Sequence, residues 1–166
     1  NAVRSALPFS LTPSQERAIA TIFGDLDGPT SMQCLLQGDV GSGKTAVVFG
    51  AALFVARAGG QTLMMAPTEV LAEQHRRTLT DWGTRVGLRV GLLHGGLPGE
   101  TRRQVLDAVA DGEIDLLVGT HALLQDKVAI PRLALAIVDE QHRFGVRQRA
   151  ALRRVGGWTP ESKAGM

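Results

Sequence analysis

The chain has 166 residues, 44% hydrophobic and 20% charged, with a formal net charge of +2. That composition suits one soluble globular domain with a core of its own, and no apolar run approaches the ~18 residues needed to span a bilayer. The charge is too small to argue for nucleic acid, and the bias of 15 Arg over 3 Lys fits phosphate contact and a GC-rich genome alike. The lone Cys34 excludes an internal disulfide and reads as a small buried hydrophobe in a reducing cytoplasm. The first residues lack the basic-then-apolar order of a signal peptide. A start at Asn1 and a loop-like "GGWTPESKAGM" end suggest a piece of something longer.

In chain order, "LPFSLTPSQ" (7–15) leads into a helix, with Thr12 as the capping residue and an amide at Gln15. "CLLQ" (34–37) is a strand. Residues 43–58 form a helix, with Val48, Ala51, Ala52 and Val55 at i, i+3, i+4, i+7, apolar nearly all round and so covered on several sides. "QTLMMA" (61–66) is a strand and 68–82 a helix. "RVGLL" (89–93) is a strand and 98–111 a helix, with Arg102, Val105, Leu106 and Val109 on one face. "DLLVG" (115–119) is a strand followed by the helical piece "HALLQD". "LALAIVD" (133–139) is a strand, and 146–155 a basic helix. Continuously apolar strands separated by helices predict an α/β domain: a mostly parallel sheet with helices on both faces.

Between the first strand and its helix stands Gly38-Asp39-Val40-Gly41-Ser42-Gly43-Lys44-Thr45, which fits G-x-x-x-x-G-K-[ST] throughout. Gly38, Gly41 and Gly43 let the backbone curl so that N–H groups, that of Ser42 included, point at an anion. The helix adds its positive N-terminal end. Lys44 reaches β and γ phosphates, and the Thr45 hydroxyl is a ligand for Mg²⁺. Such a site needs a second metal anchor at the end of another strand. Asp139 is placed there, where a carboxylate is costly without a cation. Glu140, the adjacent carboxylate, would orient and polarise the attacking water. The expected ligands are therefore ATP and Mg²⁺.

Two further strand ends share one design. Pro67-Thr68 in "APTEVLAEQH" (66–75) passes from strand to helix, offering a hydroxyl and helix-start N–H groups to a nucleic-acid backbone. Gly119-Thr120-His121 in "GTHALLQ" (119–125) repeats the arrangement. His75 shares a helical face with Leu71, Leu79 and Trp82 and reads as a packed histidine. His94-Gly95-Gly96 reads equally as a turn and as a place for DNA backbone to approach. Arg143, Arg147 and Arg149 read equally as a solvated face and as a contact for a neighbouring domain. The four His and one Cys have no zinc-ligand spacing.

Together "LLQGDVGSGKT", "APTEVLAEQH", "VGTHALLQ" and "DEQHRFGVRQR" resemble the first RecA-like motor domain of RecG-type superfamily 2 helicases, over Leu7 to Arg149. The resemblance implies that Phe9, Leu11, Thr12 and Gln15 belong to an adenine-recognising element, and that Gln141 and His142 couple nucleotide to DNA. It implies a DNA helicase with 3′-to-5′ translocation on branched duplex DNA, fork reversal and branch migration in repair and recombination. The expected setting is the bacterial cytoplasm, at the nucleoid, with no membrane. Expected partners are branched DNA and, in the same full-length chain, a second RecA-like domain with an arginine finger and a wedge domain. The transcription-repair coupling factor is similar but usually has DEEH where Gln141 stands. The rival classes are a protein remodeller, a small nucleotide kinase, and a fragment that binds nucleotide without turnover. The resemblance also places a further strand, with a Thr-Ala-Thr segment, between the "CLLQ" and "LALAIVD" strands. That strand is not expected before Met166. The response would be a closed gap, a borrowed strand or a disordered phosphate loop, with Lys44 and Asp139 not poised about one Mg²⁺.

Overall fold

The computed structural model describes residues 10–26, 32–36, 44–120, 128–139 and 163–164. The phosphate loop at 37–43, the "HALLQD" piece and the basic helix expected at 146–155 lie outside the described residues. Helix α1 (Pro13–Leu26) precedes strand β1 (Met32–Leu36), followed by α2 (Lys44–Arg57), β2 (Gln61–Met65), α3 (Glu69–Thr84) and β3 (Val90–Leu93). Then come α4 (Gly99–Ala110), β4 (Leu116–Gly119), β5 (Leu133–Asp139) and the two-residue β6 (Lys163–Ala164).

All strand pairs are parallel, in the order β3-β4-β2-β5-β1-β6. The continuous apolar runs resolve into two alternating sets, because successive side chains on a strand point to opposite faces. Met64, Leu116, Val118, Leu135 and Ile137 meet α2 and α3 in one core. Leu63, Met65, Leu117, Ala136 and Val138 meet Val109 of α4 and Leu93 in the other. Burying each such side chain stabilises the fold by roughly 1.5–3 kcal/mol.

Helix α2 bears out its all-round apolar pattern. Residues 46–53 and Val55 are buried, while Phe54 and the C-terminal Arg57 reach the surface. The helix is enclosed by the sheet, by α1 and by α3. Against α1, a Cβ on Gly50 would lie 2.8 Å from Ile19 Cδ1, so the helices approach where glycine leaves room. Against α3, Phe49 meets Trp82 edge to face, with ring centroids 5.7 Å apart and planes at 78°. The predicted boundaries hold to within three residues. Arg89 and Asp115 fall just outside β3 and β4. Their backbones extend the pairing, the Asp115 N–H donating to Arg89 O at 2.9 Å. The Asp115 carboxylate also accepts the Arg89 N–H at 2.9 Å and binds its guanidinium, a hydrogen bond that raises the arginine's pKa.

The slot expected between the first and last predicted strands does not exist. β1 pairs with β5 directly, from Met32↔Leu135 to Leu36↔Asp139, while β6 lies on the other edge of β1. Of the expected responses, the sheet takes closure. Two strands about 4.8 Å apart satisfy each other's backbone groups, whereas a gap would leave buried N–H and C=O unpaired at roughly 1–3 kcal/mol each.

Candidate functional site

Because every pairing is parallel, all strand C-termini open on one edge, where ligands of α/β sheets bind. The register makes this concrete. Asp139 lies level with Leu36, the last residue of β1 before the phosphate loop. Gly119 lies level with both Met65 and Leu93. The strand ends that lead into the segments predicted to hold phosphate, metal and DNA thus share one rim.

At the β1–β5 end of the rim, three elements converge. Thr45 stands in the first turn of α2, Asp139 ends β5, and His75 projects from α3. His75 Nδ1 is 3.4 Å from Thr45 Oγ1, and His75 Nε2 is 3.4 Å from Asp139 Oδ2. The Asp139 side chain is 3% exposed and that of His75 14%. The two predicted metal ligands are therefore bridged by one imidazole. The packed reading of His75 holds for its helix face, since Leu79 is fully buried and Leu71 and Trp82 pack against the same core. It fails for the ring, whose nitrogens both address the site. A hydroxyl and a buried carboxylate are hard oxygen donors, the kind Mg²⁺ takes. Among the described residues no group of three or more His, Cys, Asp or Glu converges as a metal cage.

Along the rest of the rim, Thr68 is the N-cap of α3. Its backbone is extended (φ −135°, ψ 158°) and its Oγ1 accepts the Leu71 N–H at 3.2 Å. An accepting hydroxyl keeps its proton to donate outward, and the first-turn N–H groups of Glu69 and Val70 sit at the helix's positive end. Pro67 precedes the cap and is partly buried. Thr120 is buried next to it, its N–H donating to Leu93 O at 3.3 Å, while the Ala66 N–H donates to Gly119 O at 2.7 Å.

Between these segments lies the His94 turn. The Gly96 N–H donates to His94 Nδ1 at 3.0 Å, which leaves the ring proton on Nε2 to donate to Glu73 Oε1 at 3.2 Å. A Cβ on Gly96 would lie 2.8 Å from Glu69 Oε2. The segment is a turn, with the Leu97 N–H donating to His94 O at 3.3 Å, and the mobile end of the Glu69 side chain lies beside it. Glu69 and Glu73 are both about half exposed; Glu73 is tied to this histidine, while Glu69 Oε2 lies 3.6 Å from Nδ1.

Gln15 stands in the first turn of α1, where its Oε1 accepts the Thr12 N–H at 2.8 Å while the Gln15 N–H donates to Thr12 Oγ1 at 3.2 Å. This reciprocal capping box holds the carboxamide oxygen on the helix start. Lys44 begins α2. Gly38, Gly41, Ser42, Gly43, His121, Glu140, Gln141 and His142 lie outside the described residues.

A family model described as DEAD/DEAH box helicase matches residues 12–163. The ATP-dependent DNA helicase RecG of Streptococcus pneumoniae serotype 4 is 51% identical over 156 residues, which is 93% of this chain and 23% of that protein. The corresponding RecG of Bacillus subtilis strain 168 is 49% identical over 151 residues, 91% of this chain and 22% of that one. The solved structure of RecG bound to a three-way DNA junction superimposes with a TM-score of 0.76 at 42% identity, covering 86% of this chain and 20% of that chain. A hypothetical ATP-dependent RNA helicase from Sulfolobus tokodaii, 18% identical with a TM-score of 0.59, shares the fold. The chain spans about a fifth of the length of the RecG proteins it matches.

Proposed function

Because the chain belongs to the DEAD/DEAH box helicase family, we propose that it is the ATP-binding motor domain of a RecG-like DNA helicase. In this reading it couples hydrolysis to movement on branched duplex DNA in repair and recombination. The observation that carries the reading is the shared rim. Thr45 and Asp139 flank the His75 ring at one end of it, and Thr68 and Thr120 follow the neighbouring strand ends.

The residues divide the work as follows. N–H groups of Gly38 to Thr45 and the Lys44 ammonium hold the phosphates, and Gln15 belongs to the adenine side. Thr45 Oγ1 and the Asp139 carboxylate hold Mg²⁺, which when bound offsets the negative charge that spreads over the phosphoryl oxygens. Glu140, one residue beyond the metal anchor, takes a hydrogen bond from the attacking water and aims it in line with the leaving group. His142 links that position to the DNA track. Thr68 and Thr120, with Pro67, Gly119 and His121 shaping their loops, bind phosphates of the DNA backbone, which fixes register without reading sequence. A second motor domain of the complete protein supplies the arginine finger, and a wedge domain grips the junction.

The test uses the complete protein that carries this chain, with ATP and a three-way DNA junction. Lys44→Ala should lose nucleotide binding and unwinding together. Glu140→Gln should retain nucleotide binding and lose turnover. Normal unwinding by Glu140→Gln would refute the water-orienting assignment, and DNA-independent hydrolysis by the unaltered protein would refute the motor reading.

A further inference from the structure

The His75 imidazole spans the two metal anchors, and the sequence pattern alone makes it a core residue. A carboxylate only accepts hydrogen bonds, so the contact with Asp139 Oδ2 places the ring proton on Nε2. In the neutral ring Nδ1 is then an acceptor, and the Thr45 hydroxyl is the donor facing it. Both contacts are long for hydrogen bonds, at 3.4 Å. The arrangement matters chemically because a hydroxyl that gives its proton to Nδ1 turns a lone pair outward, and a hydrogen bond from Nε2 limits how the carboxylate can turn.

We infer that His75 is a positioning residue of the nucleotide site, orienting the Thr45 hydroxyl and the Asp139 carboxylate for Mg²⁺ from a helix that also carries the DNA contact. His75 lies seven positions after the Thr68 cap on α3, about 10 Å along one rigid helix. Movement of that cap against a DNA phosphate displaces the imidazole between the two metal anchors. The inference rests on the proposed function and adds to it a named link between the two sites.

The test again uses the complete protein. Binding of a fluorescent ATP analogue is titrated with Mg²⁺ in the absence of DNA, beside a control in excess chelator. His75→Ala should need about tenfold more Mg²⁺ to tighten binding, the usual scale for losing a group that orients a metal ligand, while chelator-condition affinity stays at the unaltered value. His75→Gln offers an amide donor and acceptor and should recover most of the loss. His75→Leu fills the same space beside Leu71 and Leu79, folds normally, and should be as defective as His75→Ala. A normal Mg²⁺ response in His75→Leu, or a His75→Gln as defective as His75→Ala, overturns the inference. If the unaltered protein shows no Mg²⁺-dependent tightening at all, the proposed function falls instead.

Discussion

Thr68 has two jobs that substitution can separate. As the N-cap of α3 it accepts the Leu71 N–H; as a rim residue it is proposed to donate its hydroxyl proton to a DNA phosphate. Thr68→Ala removes both, costing about 1 kcal/mol of stability through the lost cap. Thr68→Asp keeps the first and reverses the second. Aspartate caps at least as well as threonine, and its charge beside the helix's positive end adds roughly 0.3–1 kcal/mol. Toward DNA the same carboxylate has no proton to give. The lost hydrogen bond to a charged group is worth roughly 1.5–3 kcal/mol, and repulsion at close range in a solvated site adds about 1 kcal/mol. Exposure of this segment argues for the lower end of the sum, about 2.5–3 kcal/mol, or a roughly 60- to 140-fold weaker affinity. The assay is junction binding by the complete protein at fixed moderate salt, paired with thermal unfolding. Thr68→Asp should melt at or above the unaltered temperature and bind DNA far less well, equally for unrelated sequences. Unchanged DNA affinity in Thr68→Asp would refute the rim as a DNA track.

Phe49→Leu removes the edge-to-face contact with Trp82 and should cost about 1–2 kcal/mol, lowering the melting temperature by roughly 3–6 °C; calorimetry reads it. Gly112 has φ +75° and lies against the Arg132 guanidinium, so Gly112→Ala should cost about 1–2 kcal/mol or more by denaturant titration. Asp139→Asn keeps the shape of a buried side chain but loses the charge, and should abolish Mg²⁺-dependent hydrolysis while the protein still unfolds cooperatively. This chain by itself should turn over ATP at least about a thousandfold more slowly than the complete protein, the scale of a missing arginine finger; comparable rates in a phosphate-release assay would contradict that.

The strands were legible because two covered faces require continuous apolar runs, and "LALAIVD" is β5 from first residue to last. Helix α2 was legible for the same reason, its pattern leaving no face for solvent. The passage from strand to helix at Thr68 was legible, but its role as the cap of α3 was not, because the helix was expected to begin at 68 itself. Strand order was harder to read, since it depends on crossovers between distant segments, and the direct β1–β5 ladder has no local signal. The contacts of the His75 ring with Thr45 and Asp139 were hidden by its own periodicity. The Leu71–Leu79–Trp82 face correctly placed it inward, but how far α3 leans over the strand ends is set by its packing on α2 and β4, not by its own residues. Gln15 shows the opposite difficulty, because one carboxamide suits both a capping box and a base edge, and sequence offers both partners at once. Gly95 and Gly96 resisted reading until the turn that closes from Leu97 N–H to His94 O was in place.

The central claim is that one sheet edge serves both nucleotide and DNA, so binding at either site must alter the other. The most direct measurement closes that thermodynamic square in the complete protein, using Glu140→Gln to hold ATP without turnover. ATP affinity is measured with and without a three-way junction, and junction affinity with and without ATP. The account predicts that both affinities change by the same factor and that the factor differs clearly from one, as reciprocal coupling demands. Two sites that each bind tightly, with neither affinity altered by the other ligand, would contradict it.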